Sequence, residues 1–238
     1  MVLRDNLKIT IVGSSVSLRI RPSLPVHKGL NFGQIIEKRI DPSKNVTVTN
    51  LGLSRMLITE VEYNLDTYIR TFPNLYIINI GAVDAPNREV PLWYSNYIFK
   101  RKSRFSFRCF NWVHKNLLLK IRTSLVRIRR YKPWVSSEQF INEFKNVINN
   151  LQKETDAKII VLGINEGNEK INSILPRTSV SYIKYNEHLK KLTEDLDAYF
   201  IDVSDLTSEN HYPDGVHYNE QGHEVIGNRI IELWRTIG

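Results

Sequence analysis

The stretch "LKITIVGSSVS" (residues 7–17) joins a short apolar run to a turn that holds two serines. The run is rich in β-branched side chains, which is typical of a strand covered on both faces. Four later runs share this character: "NVTVTNLG" (45–52), "LYIINIG" (75–81), "AKIIVLGI" (157–164) and "AYFIDVS" (198–204). Apolar residues at helical spacing separate the runs, at roughly 32–40, 54–71, 137–154, 179–196 and 219–237. This alternation predicts a three-layer α/β/α domain on a five-stranded, mainly parallel sheet.

Length and composition predict a single domain spanning residues 1–238. A hydrophobic content of 42% is sufficient for a full core. No run approaches the roughly 18 apolar residues that would cross a bilayer, and the sequence enters its first strand pattern without the layout of a signal peptide, so we expect a cytoplasmic protein. Cys109 is the only cysteine, which excludes an intrachain disulfide and a cysteine-based zinc cluster.

The positive charge of the chain is concentrated in one segment. The net charge is +8, yet no Asp or Glu occurs between Val90 and Ser137, where 12 of the 33 basic residues lie. The remaining 21 basic residues are outnumbered by 25 acidic ones. We therefore predict that residues 90–136 form a basic, aromatic-rich helical insertion after the third strand.

The second half of this insertion, residues 110–131, has apolar residues at helical spacing. The predicted apolar face consists of Phe110, Val113, Leu117, Leu118, Ile121, Leu125 and Ile128. Two interpretations are open: a helix packed on the domain with a solvated basic face, or a surface at residues 100–132 that binds an anionic partner. An anionic membrane surface or an acidic glycan would suit the second, which allows a peripheral position at the inner face of the membrane, whereas nucleic acid is disfavoured.

Chemistry is expected at the carboxyl ends of the strands, because functional groups of open α/β sheets gather there. Four loops fall at this edge or just before the last helix: "GSSVS" (13–17), "NLGLSR" (50–55), "GAVDAPNR" (81–88) and "PDGVHYN" (213–219). Together they could supply a serine nucleophile, oxyanion donors, a histidine base and an aspartate that orients it. No His-rich or acidic cluster has the spacing of metal ligands, so we predict no metal and no cofactor.

These four loops, in this order, resemble the blocks of the SGNH (GDSL-type) hydrolases, a flavodoxin-like fold. In the first block Ser15 takes the place of the nucleophile, and Ser14 stands where that family has aspartate. Asp214 and His217 match the final Asp-x-x-His block. The resemblance implies that Ser15 attacks an ester, that His217 is its general base and that Asp214 orients the imidazole.

The middle blocks depart from that family pattern. Arg55 stands where the second block has its final glycine, after Asn50 and Gly52, and Val83 replaces an asparagine side chain that donates to the oxyanion. Loss of one such donor typically costs about 10²–10³ in rate. Arg55 or Arg88 could supply the missing charge. The predicted oxyanion and substrate-binding residues are Ser15, Gly52, Arg55, Val83, Asp84 and Arg88.

The resemblance implies a serine esterase that removes an acyl group, with O-acetyl expected, from a sugar or glycan. One alternative is an O-acyltransferase that uses the same residues and passes the acyl group to a sugar hydroxyl. The other is a non-catalytic protein that binds an anionic partner through the basic insertion. The remaining histidines, His114 among them, are interpreted as structural, with His211 the one candidate for the lining of the pocket.

Overall fold

The computed structural model describes residues 6–18, 20, 29–100 and 111–238, with the backbone alone at 98–100. Its centre is a five-stranded parallel sheet in the order β2-β1-β3-β4-β5. The strands are β1 (Asn6–Gly13), β2 (Asn45–Asn50), β3 (Leu75–Asn79), β4 (Lys158–Leu162) and β5 (Tyr199–Ile201). The register pairs Gly13 with Asn79 and Ile11 with Asn50, so the first three strands end at the same edge.

Helices cover both faces of the sheet. The chain forms a 3₁₀ turn at Ser15–Ser17, and then α1 (Phe32–Arg39), α2 (Ile58–Tyr63), α3 (Leu65–Ile69), α4 (Leu92–Lys100), a π-helical turn at His114–Leu118, α5 (Arg122–Ile128), α6 (Ser137–Glu154), α7 (Glu169–Ile174), α8 (Thr178–Asp195) and α9 (Glu220–Ile237). Side chains cap several of them, as predicted for Asn219, whose Oδ1 accepts from the Gly222 N–H at 2.8 Å. None of the helices in the described ranges is both long and apolar enough to cross a membrane.

Two apolar cores lie on either side of the sheet, because successive strand residues point to opposite faces. On one face Tyr76 and Ile78 of β3 pack with α2, α3, α6 and α8. On the other face Leu75 and Ile77 pack with α1 and α9. The predicted three-layer α/β/α architecture is therefore confirmed.

One predicted helix is divided in the structure. The pattern at 54–71 forms a turn followed by α2 and α3, which meet at Asn64. The Asn64 Nδ2 donates to the Glu60 carbonyl at 2.7 Å, and such side-chain bonds to the backbone compete with continuation of a helix.

The described residues of the insertion after the third strand are mostly helical, as predicted. The apolar face that the sequence predicted is, however, largely exposed. Leu117, Ile121 and Ile128 are 53%, 43% and 75% exposed, whereas Val126 is fully buried. The π-helical turn and the break before α5 interrupt the 3.6-residue period on which the prediction rested. Phe110 and the basic residues of 101–110 lie outside the described residues.

Replacing Phe140 tests the core beneath the sheet's carboxyl edge. Its buried ring lies 5.5 Å from that of Phe144 and 5.0 Å from that of Tyr185. We expect Phe140→Ala to lower the free energy of unfolding by about 3–5 kcal/mol, because it removes an aromatic ring and leaves a cavity. Urea denaturation measures the loss. Lys145→Ala, on the exposed side of the same helix, should change stability by less than about 0.5 kcal/mol. Equal effects of the two changes would contradict this packing.

Candidate active site

The 3₁₀ turn after β1 presents Ser15 at the edge of the sheet. The Ser14 N–H donates to the Asn79 carbonyl at 3.2 Å, which ties the turn to the end of β3. The Ser14 side chain caps the turn, accepting from the Val16 N–H at 3.5 Å. Ser14, Val16 and Ser17 are buried, whereas Ser15 is partly exposed. The Ser14 side chain thus stabilises the turn, and Ser15 remains accessible.

Ser15, His217 and Asp214 form one chain of hydrogen bonds. The Ser15 Oγ lies 2.9 Å from His217 Nε2, although the two residues are 202 positions apart. On the other side of the ring, His217 Nδ1 lies 2.8 Å from Asp214 Oδ2. The second oxygen of Asp214 accepts from the backbone N–H groups of Val216 at 2.9 Å and His217 at 2.7 Å. The structure therefore brings together the three residues that the sequence placed at the centre of the site.

The Asp214 carboxylate is strongly biased toward its charged form. Partial burial alone would raise its pKa, but hydrogen bonds from the His217 ring and from two backbone N–H groups outweigh this and lower the pKa to about 2. An ionised Asp214 accepts a hydrogen bond from the Nδ1–H of His217, and this tautomer leaves Nε2 as an acceptor toward the Ser15 hydroxyl.

The loop that carries Asp214 and His217 requires a glycine at its centre. Gly215 has φ +85°, and a Cβ there would lie 2.4 Å from the side-chain oxygen of Asn168, which caps α7. The Asn165 Nδ2 donates to the Val216 carbonyl at 2.7 Å. Asn165 is thus a residue that holds the loop and that the sequence did not single out.

The second block packs against the serine turn. The Asn50 side chain donates to the Ser17 carbonyl at 3.1 Å and accepts from the Gly52 N–H at 3.0 Å. A Cβ at Gly52 would meet Ser17 Oγ at 2.6 Å, which explains the glycine. The assignment of Gly52 to the oxyanion or substrate site is corrected, because its N–H is already used by Asn50 and it does not line the pocket described below.

Arg55 adopts a backbone conformation that is more usual for glycine, the residue that the family has at this position. Its φ is +67°, in the left-handed region that favours glycine. The side chain extends into the pocket, where Nη2 donates to the Ser95 hydroxyl at 2.8 Å and the guanidinium lies 5.3 Å from the centre of the Trp134 ring. The backbone at this position therefore matches a glycine, while the side chain adds a cation.

The third block, residues 81–88, is a loop that is fixed by hydrogen bonds to its backbone carbonyl groups. The Tyr182 hydroxyl donates to the Ala82 carbonyl at 3.0 Å, and Arg88 Nη2 donates to the Val83 carbonyl at 2.7 Å. Gly81 has φ +122°, and a Cβ there would lie 2.4 Å from Ile164. Val83 lines the pocket but its side chain offers no hydrogen-bond donor.

Asp84 is not a substrate-binding residue, and this prediction is wrong. Its side chain is fully buried, and its Oδ1 accepts from the Ile58 N–H at 2.9 Å, which places it at the beginning of α2. Burial raises the pKa of Asp84 to about 7. Asp84 is therefore a structural carboxyl group beneath the third block.

A cavity of about 320 Å³ opens beside Ser15 and His217. Arg55, Val83 and Arg88 line it, as expected. Sequence reasoning missed several other lining residues, of which the polar and aromatic ones are Glu89, Ser95, His114, Arg122, Trp134 and Tyr182.

Most of these missed residues belong to the insertion, whose inward side the helical pattern did not reveal. The only sequence signal that pointed to Arg122 as a lining residue was the excess of arginine in the insertion. His211 does not line the cavity; its Nδ1 accepts from the Thr207 N–H at 3.0 Å. Within the described ranges, no three His, Cys, Asp or Glu side chains lie close enough together to hold a metal ion.

A Ser–His–Asp hydrogen-bond chain at the carboxyl edge of an α/β/α sheet defines the class of serine hydrolases. Residues 32–230 match the GDSL-like Lipase/Acylhydrolase family, and the chain belongs to that family of SGNH-type serine hydrolases. The match begins after Ser15, so the position of Ser15 rests on the geometry above. A comparison with curated proteins gives no match.

Solved structures share the fold over nearly the whole chain. Axe2, an acetylxylan esterase from Geobacillus stearothermophilus, superposes with a TM-score of 0.62 at 15% identity over 98% of this chain and 95% of that one. A lipase/acylhydrolase from Enterococcus faecalis gives a TM-score of 0.63 at 16% identity over 95% of this chain and 94% of that one. At these identities the similarity shows the fold.

The raised pKa of Asp84 predicts a pH-dependent stability. The pKa of Asp84 in the folded protein, about 7, exceeds its usual value of 3.8. The stabilisation that Asp84 gives to the folded protein is therefore fully present below about pH 4 and is lost as the pH rises through 7. Asp84→Asn keeps an acceptor for the Ile58 N–H but cannot ionise. Urea unfolding across this range should show the stability of the variant improving relative to wild type as the pH rises.

The matched control is Asp66→Asn, an exposed carboxylate on α3. This variant should keep the wild-type dependence on pH. A wild-type dependence retained in Asp84→Asn would show that Asp84 is ionised in the folded protein across the whole range.

Proposed function

We propose that this protein is a serine esterase that removes an acyl group, O-acetyl in particular, from a sugar or glycan. The observation that carries the proposal is the unbroken hydrogen-bond chain from Asp214 through His217 to Ser15, at the wall of a cavity of about 320 Å³. Ser15 acts as nucleophile, His217 as general base and then general acid, and Asp214 as the group that orients the imidazole.

The reaction proceeds in two halves. The Ser15 Oγ attacks the ester carbonyl as His217 Nε2 takes its proton, and the tetrahedral intermediate collapses when His217 returns that proton to the departing sugar hydroxyl. Water then attacks the acyl-enzyme in the same way and releases the carboxylic acid and free Ser15. Asp214, ionised because its pKa lies at about 2, stabilises the imidazolium that forms in each half.

Backbone N–H groups are the candidate oxyanion donors. Ser15 opens the 3₁₀ turn, and N–H groups at the start of a helical turn have no acceptor within it. Arg55 would contribute its N–H from the left-handed conformation that a glycine adopts at this position. With Val83 in the third block one donor is missing, which corresponds to a rate lower by about 10²–10³ than with a complete set.

Acetylated sugars are the substrate class that the cavity supports best. Its volume lies at the lower end of the 300–1,000 Å³ range typical of small-molecule sites, so a short acyl group on a small alcohol suits it better than a long lipid chain. The similarly folded Axe2 is an acetylxylan esterase, which agrees with this choice.

A non-catalytic scaffold is less well supported than an enzyme. The features in its favour are the three departures from the family pattern, at Ser14, Arg55 and Val83. Two of them leave the site intact, since Ser14 caps the serine turn and Arg55 takes the φ of a glycine. Val83 alone removes a donor, and this lowers a rate without abolishing the reaction.

The test is acetate release from acetylated xylose and glucose, alongside 4-nitrophenyl acetate and octanoate. We expect hydrolysis of the acetyl esters and little of the octanoate. Asp214→Asn should lower kcat by about 10²–10⁴ with a small change in KM, because Asp214 acts on the imidazole and not on the substrate. Asp205→Asn, a carboxylate paired with Arg229 away from the cavity, is the matched control and should retain activity.

The proposal fails if folded wild-type protein releases no acetate. It fails also if Asp214→Asn hydrolyses acetyl esters as fast as wild type does. Hydrolysis of octanoate in preference to acetate would keep the esterase but exclude acetyl as the acyl group that it naturally removes.

A further inference from the structure

The cavity beside Ser15 carries an excess of positive charge. Among the described residues that line it are three arginines, Arg55, Arg88 and Arg122, and one carboxylate, Glu89. Arg122 Nη2 lies 2.9 Å from Glu89 Oε1 in a partly buried ion pair. The lining groups therefore have a net charge of about +2 when all four are ionised.

Arg88 contributes the cation whose surroundings are best defined. Its guanidinium lies 4.0 Å from the centre of the Trp134 ring, and Nη2 donates to the Val83 carbonyl. Its Nε meets no acceptor in the described part of the chain. Burial lowers the pKa of Arg88 to about 10; Tyr182 and Glu89 oppose this shift, and repulsion from Arg55 and Arg122 adds to it. Arg88 remains charged at neutral pH even so.

Within the described residues Arg88 is held in place without a salt bridge to a carboxylate, because Glu89, which attracts it electrostatically, is paired with Arg122. The Trp134 Nε1 donates to the Val90 carbonyl at 2.9 Å, which fixes the ring on which Arg88 stacks. Stacking on an aromatic face is favourable for a guanidinium but supplies no opposite charge. Like charges gathered in a partly buried cavity repel one another, and an anion bound there reduces this repulsion.

We propose that the Arg88 side of the cavity binds a carboxylate of the substrate, so that the enzyme prefers an ester that carries a negative charge close to the scissile bond. This inference rests on the proposed function and specifies its substrate. A guanidinium fixed on an aromatic ring suits a planar carboxylate, to which it donates charge-assisted hydrogen bonds. The carboxylate belongs either to the sugar, as in an O-acetylated uronic acid, or to the acyl group, as in a hemisuccinate.

A purely structural role for Arg88 would be to hold the Val83 carbonyl. Arg88→Gln separates the two roles, because glutamine can still donate to that carbonyl but carries no charge. Arg127→Gln is the matched control: it removes the same charge from an exposed position on α5 that does not line the cavity.

The experiment compares kcat/KM for four esters: an O-acetylated methyl glucuronide, the same compound as its neutral methyl ester, the corresponding acetylated glucoside and a glucoside hemisuccinate. Wild type should prefer one of the two acids over its neutral counterparts by about 10–100-fold, the range expected for charged hydrogen bonds. Arg88→Gln should lose at least tenfold of that preference, mainly through KM. Arg127→Gln should keep it.

The preferred acid identifies where the carboxylate lies: the glucuronide places it on the sugar, and the hemisuccinate places it on the acyl group. An equal rate for acids and neutral esters would overturn the inference and leave the esterase proposal standing. A preference that survives Arg88→Gln would overturn it as well.

A binding measurement separates this inference from the proposed function. Titration calorimetry of Ser15→Ala with glucuronate, succinate and glucose does not depend on turnover. Binding of one of the acids but not glucose, weakened at least tenfold by adding Arg88→Gln, would support the subsite even if the wild type hydrolysed no ester. Binding of neither acid would count against it.

Discussion

The site depends on the two oxygens of Asp214. One accepts from the backbone N–H groups of Val216 and His217 and thereby closes the loop, and the other holds Nδ1 of the imidazole. Because these bonds lower the pKa of the carboxyl to about 2, the charge that fixes the tautomer of His217 is present at any physiological pH. The 2.9 Å contact of His217 with Ser15 then joins the last loop of the chain to the first.

The differences from the common SGNH pattern fall into two kinds. Ser14 and Arg55 preserve the backbone, the first by capping the serine turn and the second by adopting a left-handed φ. Val83 removes a donor, and no side chain replaces it at that position. The same loop is instead tied back by Arg88, whose guanidinium also faces the cavity. The site in which one neutral donor is absent thus lies beside three arginines.

The sequence was sufficient for the sheet, because strand ends and tight turns are local features, and the loops that it singled out through a family resemblance place Ser15, Asp214 and His217 within hydrogen-bond distance of one another. It misplaced Gly52 and Asp84, since a pattern of spacing does not reveal which backbone N–H is already bonded or which carboxyl is buried. The inward side of the insertion escaped prediction because a π-helical turn shifts the helical phase. Trp134 and His114 reach the cavity through tertiary packing alone.

Covalent labelling by a fluorophosphonate tests most directly the claim that Ser15 is an activated nucleophile. Intact-mass analysis of wild type should show one adduct, and Ser15→Ala and His217→Ala should show none while remaining folded. Ser204→Ala, a serine near β5 that is exposed and does not line the cavity, should be labelled like wild type. A folded wild-type protein that takes up no label, or a Ser15→Ala variant that is still labelled, would contradict the account.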